Sequence, residues 1–155
     1  MAVTLAEILQ KEQVVLDLQA QTLEAALGEI IATMTANRKV PDAEQLLVEV
    51  LTRETSASTF VGNGVAFPHA RTDLVTQIVL GIGRSLSGVQ FGAEDERAHL
   101  LFVIAVPRRM ATDYLVCVGA LARLTSERGT REALMNATTP SEFATILREG
   151  SLVLK

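Results

Sequence analysis

Residues 52–71 read TRETSASTFVGNGVAFPHAR, and this stretch organises both the fold and the chemistry expected of the chain. It starts with an arginine-glutamate pair and a cluster of hydroxyl residues, turns at Gly-Asn-Gly, and ends a short apolar run at Pro68-His69. The chain has only two histidines, and a proline restricts the backbone beside this one. A side chain held there by a rigid backbone can stay open to a partner. The stretch therefore predicts an imidazole that does chemistry at a surface.

The segments on either side of this stretch alternate between helix and strand patterns. Apolar residues recur at helical spacing over 22–36, and Asp42 is a suitable N-cap for a second helix that leads into the quoted stretch. The short apolar run 65–67 predicts a strand. The runs 77–84 and 100–106, rich in Ile, Val, Leu and Phe, predict strands of a buried sheet.

Helical segments return after the strands. An apolar face predicts a helix over 112–126, and Thr130 is expected to cap a short helix. The sequence TPSE at 139–142 is a capping box with proline at the first helical position, and its helix is expected to end at Gly150. Helices, then strands, then helices predict an α/β protein. We expect a single domain, 1–155, with a mixed β-sheet flanked by helices on both faces.

Composition excludes several classes of protein. At 155 residues and 48% hydrophobic content, the chain can bury a sizeable core. Mean hydropathy is +0.29, but no apolar run reaches the roughly 18–20 residues of a membrane-spanning helix. The start, MAVTLAEILQKE, lacks the order of a signal peptide. The single cysteine, Cys117, excludes an internal disulfide and is expected to be a buried small hydrophobe. We expect a cytoplasmic protein without direct membrane insertion.

Charge and aromatic content argue against nucleic acid as a partner. The net charge is −4 and the pI is about 5.2, whereas nonspecific nucleic-acid binding needs basic residues concentrated on one face. The 14 basic residues are scattered along the chain, and with one tyrosine, five phenylalanines and no tryptophan a base-stacking platform is disfavoured.

The residues alone leave two interpretations of His69 open. In the first, His69 is structural, and nearby backbone groups form hydrogen bonds with its ring nitrogens. In the second, the imidazole acts as a nucleophile. The turn at Gly62, Asn63 and Gly64 favours the second interpretation. Such a turn tolerates positive φ and lets backbone amides converge on an anion.

Polar side chains before the turn add donors for an anion. Ser58 and Thr59 supply hydroxyl groups, and Arg53, near the end of the second predicted helix, can reach a phosphate with a bidentate fork. A nucleophilic imidazole, amide donors and an arginine together predict a phosphoryl-transfer site.

These residues resemble the signature of a known family. The pair at 53–54, the Ser58-Thr59 pair, the GNGVA of 62–66 and Pro68-His69 look like the mannitol/fructose-type enzyme IIA domain of the bacterial sugar phosphotransferase system. The solitary nitrogen-regulatory IIA proteins share that signature. The resemblance covers the chain from about 5 to 150 and implies the mixed-sheet fold of that family.

The resemblance also implies a mechanism. His69 would accept a phosphoryl group from HPr or a similar phosphocarrier protein and become a phosphohistidine. Arg53, Thr59 and the amides of the Gly-Asn-Gly turn would stabilise charge on the phosphoryl oxygens. The group would then pass to a sugar-permease IIB domain, or a regulated partner would read the phosphorylation state. No metal or other cofactor is required in this scheme.

Two positions depart from the family pattern. Tyr114 occupies the place of a second family histidine, and it can donate a hydrogen bond to a phosphate but cannot carry a positive charge. His99 occupies the place of an acid and is expected to be a strand-edge histidine. Two hypotheses follow: a phosphoryl carrier with His69 as its covalent site, or a transfer-impaired module that regulates a protein partner by docking. We expect a regulatory IIA protein rather than a sugar-dedicated one, because the 155 residues contain no permease or IIB pattern.

Overall fold

The computed structural model describes residues 4–36, 40–92 and 96–153. Within those ranges the α-helices are Leu5–Ile8 (α1), Leu23–Ala36 (α2), Ala43–Ser56 (α3), Ala111–Ser126 (α4), Arg128–Asn136 (α5) and Pro140–Val153 (α6). The strands are Val14–Val15 (β1), Phe60–Gly62 (β2), Val65–Ala66 (β3), His69–Arg71 (β4), Val79–Gln90 (β5) and Arg97–Val106 (β6). Among the described helices, none is long and apolar enough to cross a bilayer.

Strand β6 has neighbours along both of its edges, and the sheet is built around it. The strand order is β1-β5-β6-β3-β2, and β4 pairs with β6 beyond the end of β3. The β5–β6 and β2–β3 pairs are antiparallel. The pairs that β6 makes with β3 and β4, and that β1 makes with β5, are parallel. The sheet is therefore mixed.

Both faces of the sheet are covered by helices, which confirms the predicted fold class. Residues 100–106 are buried at every position, as expected of a strand that is packed on both faces. Alternate side chains enter two clusters. Leu100, Phe102, Ile104 and Val106 pack with α1, α4, α5 and α6, whereas Leu101, Val103 and Ala105 pack with α2 and α3.

The predicted boundaries agree with the structure for α2, α3 and α4 and differ from it for β5, α5 and α6. The side chain of Asp42 accepts a hydrogen bond from the Gln45 N–H at 3.0 Å and caps α3, as predicted. Strand β5 extends to Gln90 rather than ending at residue 84. Helix α5 begins at Arg128, so Thr130 lies inside its first turn and does not cap it.

Gly150 does not end α6, contrary to the prediction. The helix continues to Val153, and Gly150 instead makes room for a neighbour. A Cβ placed on this residue would lie 2.5 Å from Cδ2 of Leu124 in α4. The glycine is therefore needed for the close approach of two helices rather than for a left-handed C-terminal turn.

Arg84 joins the sheet to the end of α5. The residue is only 5% exposed, and its Nε donates to the carbonyl of Leu16 at 2.9 Å. Its Nη1 donates to the carbonyls of Leu134, Met135 and Ala137 at 3.1, 3.1 and 2.7 Å. The last carbonyls of a helix have no partner within the helix, and a cation is favourable at that end. The Leu134 carbonyl also accepts from the Ala137 N–H at 3.4 Å, so the buried guanidinium matters most for the carbonyls of Leu16, Met135 and Ala137.

We expect Arg84→Ala to lower the free energy of unfolding by about 3 kcal/mol, because it leaves several buried carbonyls without a donor. Urea denaturation measures the change. The matched control is Arg123→Ala, which removes an exposed arginine of α4 and should change stability by less than about 0.5 kcal/mol. Equal losses in the two variants would contradict the structural role given to Arg84.

Candidate functional site

His69 is the first residue of β4 and lies opposite Ile104 of β6. The preceding Pro68 has no N–H to give to the sheet, but its carbonyl accepts a hydrogen bond from the Ile104 N–H at 3.0 Å. The following Ala70 is buried. The backbone on both sides of His69 is therefore fixed to β6, while the His69 side chain itself is half-buried.

The carbonyl of Phe67 orients the imidazole of His69. Its oxygen lies 3.0 Å from Nδ1 of the ring. A carbonyl oxygen can only accept a hydrogen bond, so Nδ1 carries the hydrogen and donates it. In the neutral ring the lone pair is then on Nε2. The local backbone thus selects Nε2 as the nucleophilic nitrogen.

Burial lowers the pKa of His69 below its ordinary value of 6.5, because the imidazolium would be poorly solvated. The hydrogen bond to Phe67 and the carboxylate of Glu54 oppose this effect, whereas the charges of Arg53 and Arg71 add to it. The imidazole is therefore mostly neutral at pH 7, which is the form that can attack an electrophile.

The structure brings Tyr114 into contact with His69. The two ring centroids lie 4.9 Å apart, with an angle of 34° between the ring planes. Burial raises the pKa of the Tyr114 phenol above its ordinary value of 10.0, and the charges of Arg53 and Arg71 oppose that effect. The phenol therefore stays protonated at neutral pH and can act as a hydrogen-bond donor.

His69 lines a groove of about 1000 Å³ between α3 and the segment that contains β4. One wall is formed by Gln45, Val48, Glu49, Thr52, Arg53 and Ser56, and the other by residues 69–74 with Arg108. Three arginines are among the lining residues. The groove can therefore receive an anionic group that a partner protein carries.

Glu54 holds the loop that follows α3, a role that its place in the sequence did not predict. Its carboxylate accepts hydrogen bonds from the N–H of Thr59 at 2.7 Å and from the hydroxyl of Thr59 at 2.8 Å. Thr59 in turn accepts at its carbonyl from the Phe67 N–H at 3.2 Å. Both donors of Thr59 are thus engaged, so its expected direct bond to a phosphoryl group is not available in this structure. Thr59 instead positions the residue that orients His69.

Arg53, near the end of α3, and Ser58, in the following loop, each use part of their hydrogen-bonding capacity within the protein. Nη1 of Arg53 donates to the carbonyl of Ala57 at 2.9 Å, which leaves the rest of the guanidinium facing the groove that Arg53 lines. Oγ of Ser58 accepts from the N–H of Phe60 at 3.1 Å and keeps its own hydrogen for another acceptor.

The turn at Gly62, Asn63 and Gly64 lies away from His69, so the expected contact of its amides with a phosphoryl group is not formed. All three residues have positive φ, at 89°, 55° and 75°. Gly62 ends β2, and Asn63 and Gly64 form the two-residue hairpin turn that leads to β3. The residue after the turn pairs with Leu100 of β6, whereas His69 pairs four residues further along that strand. Four residues of strand span about 13 Å. The amides of the turn are therefore too distant to bind a group on His69.

His99 lies near the start of β6, the central strand, and the backbone of β5 holds its ring. Nδ1 of His99 lies 2.8 Å from the carbonyl oxygen of Ser85, and its ring packs against Gly64 and Gly88.

Cys117 is buried in the layer of α4, α5 and α6, and burial raises the pKa of its thiol to about 11. Within the described ranges, no three His, Cys, Asp or Glu side chains converge in a way that could hold a metal ion.

Comparison with known proteins identifies the family. The family described as "Phosphoenolpyruvate-dependent sugar phosphotransferase system, EIIA 2" matches residues 7–150. A fructose-specific EIIA component of Haloferax volcanii is 34% identical over 129 residues, which are 83% of this chain and 84% of that protein. A fructose-specific EIIABC component of Bacillus subtilis is 27% identical over 94% of this chain, and the match spans 23% of that longer protein.

A solved structure supports the same assignment. The nitrogen regulatory protein IIA-Ntr from Neisseria meningitidis is similar to this chain with a TM-score of 0.83 and 28% identity, covering 92% of this chain and 97% of that one. The resemblance predicted from residues 52–71, and the phosphotransferase class that it implied, are both confirmed at the level of the family. The chain belongs to the EIIA 2 family of the phosphoenolpyruvate-dependent sugar phosphotransferase system.

Proposed function

We propose that His69 is the phosphoryl-carrying residue of this EIIA component and that it accepts the group on Nε2 from a phosphorylated HPr-like protein. The main support is the hydrogen bond from Nδ1 to the Phe67 carbonyl, because it leaves the lone pair on the other nitrogen of an imidazole that lines the groove. The lowered pKa of His69 supports the same role, since only a neutral ring is nucleophilic.

The reaction is a displacement at phosphorus. The lone pair of Nε2 forms a new N–P bond while the N–P bond of the donor phosphohistidine breaks, and its electron pair returns to the donor nitrogen. Nδ1 keeps its hydrogen throughout, and the Phe67 carbonyl stabilises the positive charge that the ring gains. Catalysis is then mainly a matter of positioning and of charge stabilisation.

Arg53, Tyr114 and Ser58 are proposed to bind the phosphoryl oxygens or the partner. Arg53 lines the groove. The ring of Tyr114 contacts that of His69, and its phenol is protonated. Ser58 has a hydroxyl hydrogen to donate. Charge-assisted hydrogen bonds of this kind are stronger than those between neutral groups.

The phosphorylated protein is proposed to act through a further protein. Enzyme IIAMtl and phosphorylated enzyme IIBMtl of Escherichia coli form a complex. For this chain we propose that the group passes to a IIB domain or that a regulated protein reads its presence. Adding a fructose-type IIB domain to the isolated phosphorylated protein distinguishes these two possibilities. Rapid loss of the phosphoryl group supports transfer to IIB, and retention of the group supports regulation of a partner.

We expect the protein to gain one phosphoryl group, about 80 Da, on incubation with phosphoenolpyruvate, Enzyme I and HPr, and we expect His69→Ala to gain none. Intact-mass measurement tests this. The matched control is His99→Gln, which removes the other histidine and should still be phosphorylated. If neither the unaltered protein nor this control is phosphorylated, while a reference IIA domain is, the alternative of a docking module replaces the carrier.

A titration of His69 followed by NMR should give a pKa below 6.5. The unfolded chain binds that proton more readily than the folded protein, so protonation favours unfolding as the pH falls below about 6.5 and the contribution of His69 to stability declines there. More than half of the imidazole should remain neutral at pH 6.5. A measured pKa at or above 6.5 contradicts the effect assigned to burial.

Tyr114→Phe keeps the ring against His69 but removes the donor, and it should lower the equilibrium constant for phosphorylation by about fivefold, or roughly 1 kcal/mol. The equilibrium with phosphorylated HPr, read by intact mass, measures the change. The His69 pKa serves as a control, since the packing of the ring is preserved. An unchanged equilibrium constant rules out a bond from the phenol to the phosphoryl group.

A further inference from the structure

Arg71 shares a strand face and a groove with His69. It follows His69 by two residues in β4, so the two side chains leave the strand on the same side. Both residues line the groove beside α3. Ala70, between them, points to the other side and is buried in the cluster that α2 and α3 cover.

The other two arginines of the groove bond to described residues, whereas Arg71 bonds to none of them. Nε of Arg108 lies 3.4 Å from the Asp73 carboxylate, and Arg53 donates to the Ala57 carbonyl. In the part of the chain that the structure describes, Arg71 makes neither a hydrogen bond nor an ion pair. Its guanidinium is exposed and has its five donors uncommitted.

The charge of Arg71 acts on both rings of the site. Together with Arg53, it lowers the pKa of His69 and opposes the rise in the pKa of Tyr114. The positive potential of these two arginines therefore extends over the imidazole and the phenol that adjoins it. A dianionic group bonded to the imidazole would experience the same potential.

We propose that Arg71 is a second phosphoryl-binding arginine, which holds the group once it is bonded to His69 and supplies positive charge that the neutral Tyr114 phenol lacks. This inference rests on the proposed function of His69. The phosphoryl group has oxygens to accept from more than one guanidinium, and a planar fork matches two of them.

Such a contact favours the phosphorylated state over the free one. Before transfer, Arg71 is exposed and has no hydrogen-bond or ion-pair partner among the described residues. After the N–P bond to Nε2 has formed and the donor N–P bond has broken, it gains a charge-assisted pair with the phosphoryl oxygens. Arg71 should therefore shift the transfer equilibrium toward this protein.

The experiment measures the equilibrium constant for exchange of the phosphoryl group with phosphorylated HPr. Phosphorylated HPr, freed of Enzyme I, is mixed with the protein, the four species are quantified by intact mass, and equilibrium is approached from both directions. Contacts between the docked proteins change the rates of phosphoryl transfer. They do not change the equilibrium constant, because that constant compares only the separated proteins. The constant therefore reports how well each protein holds the group.

Arg71→Gln should lower this constant about three- to tenfold, a modest factor because the guanidinium is exposed. Arg71→Lys should recover part of the loss, since it keeps the charge without the fork. The matched control is Arg109→Gln, which makes the same change of charge at an exposed residue that donates to the Thr76 carbonyl, and it should leave the constant unchanged. The difference between the unaltered protein and Arg71→Gln should also shrink at high salt.

The outcomes separate this inference from the function on which it rests. If the unaltered protein is phosphorylated and Arg71→Gln has the same constant, the role of Arg71 is refuted and that of His69 stands. Equal losses in Arg71→Gln and Arg109→Gln refute it as well, because they indicate a general effect of net charge. If the unaltered protein accepts no phosphoryl group, both proposals fail together.

Discussion

The hydrogen-bonded position of β6 between β5 on one edge and β3 and β4 on the other is the constraint on which the rest of the structure depends. Its apolar residues at 100–106 fill both helical layers at once, so the register of the neighbouring strands is fixed by packing on two faces. That register places His69 opposite Ile104 and sets the Phe67 carbonyl within hydrogen-bonding distance of the imidazole. The site is therefore a consequence of the core rather than an independent loop.

The site combines two opposing requirements. Burial keeps the His69 imidazole neutral and thus nucleophilic, but the same burial disfavours the negative charge of a bound phosphoryl group. Arginines at the groove resolve the conflict, because they lower the pKa of His69 and attract an anion. A histidinium at position 114 would add positive charge, whereas the Tyr114 phenol offers a hydrogen bond without it. In the proposed function, the arginines therefore supply the positive charge that stabilises the phosphoryl group.

The sequence predicted the architecture well, whereas the contacts around His69 depend on how the chain folds. Helical periodicity, the Asp42 cap and the continuous apolar run at 100–106 are local signals, and they gave the correct elements. The Gly-Asn-Gly turn was expected to contact a phosphoryl group because it is close to His69 in the sequence. Extended backbone between them separates the two in space, and the glycines serve the positive φ of a hairpin. Arg71 could have been found from the period of two along β4. The bonds of Glu54 to Thr59 depend on the path of the loop.

The central claim is that the Phe67 carbonyl holds Nδ1 of His69 and leaves Nε2 to carry the phosphoryl group. The most direct test is a long-range ¹H–¹⁵N correlation spectrum of the phosphorylated protein labelled with ¹⁵N-histidine, in which the phosphorus couples to the nitrogen that carries it. The account predicts that the coupling is to Nε2 of His69 and that Nδ1 retains its proton. Coupling to Nδ1, or to either nitrogen of His99, would contradict it.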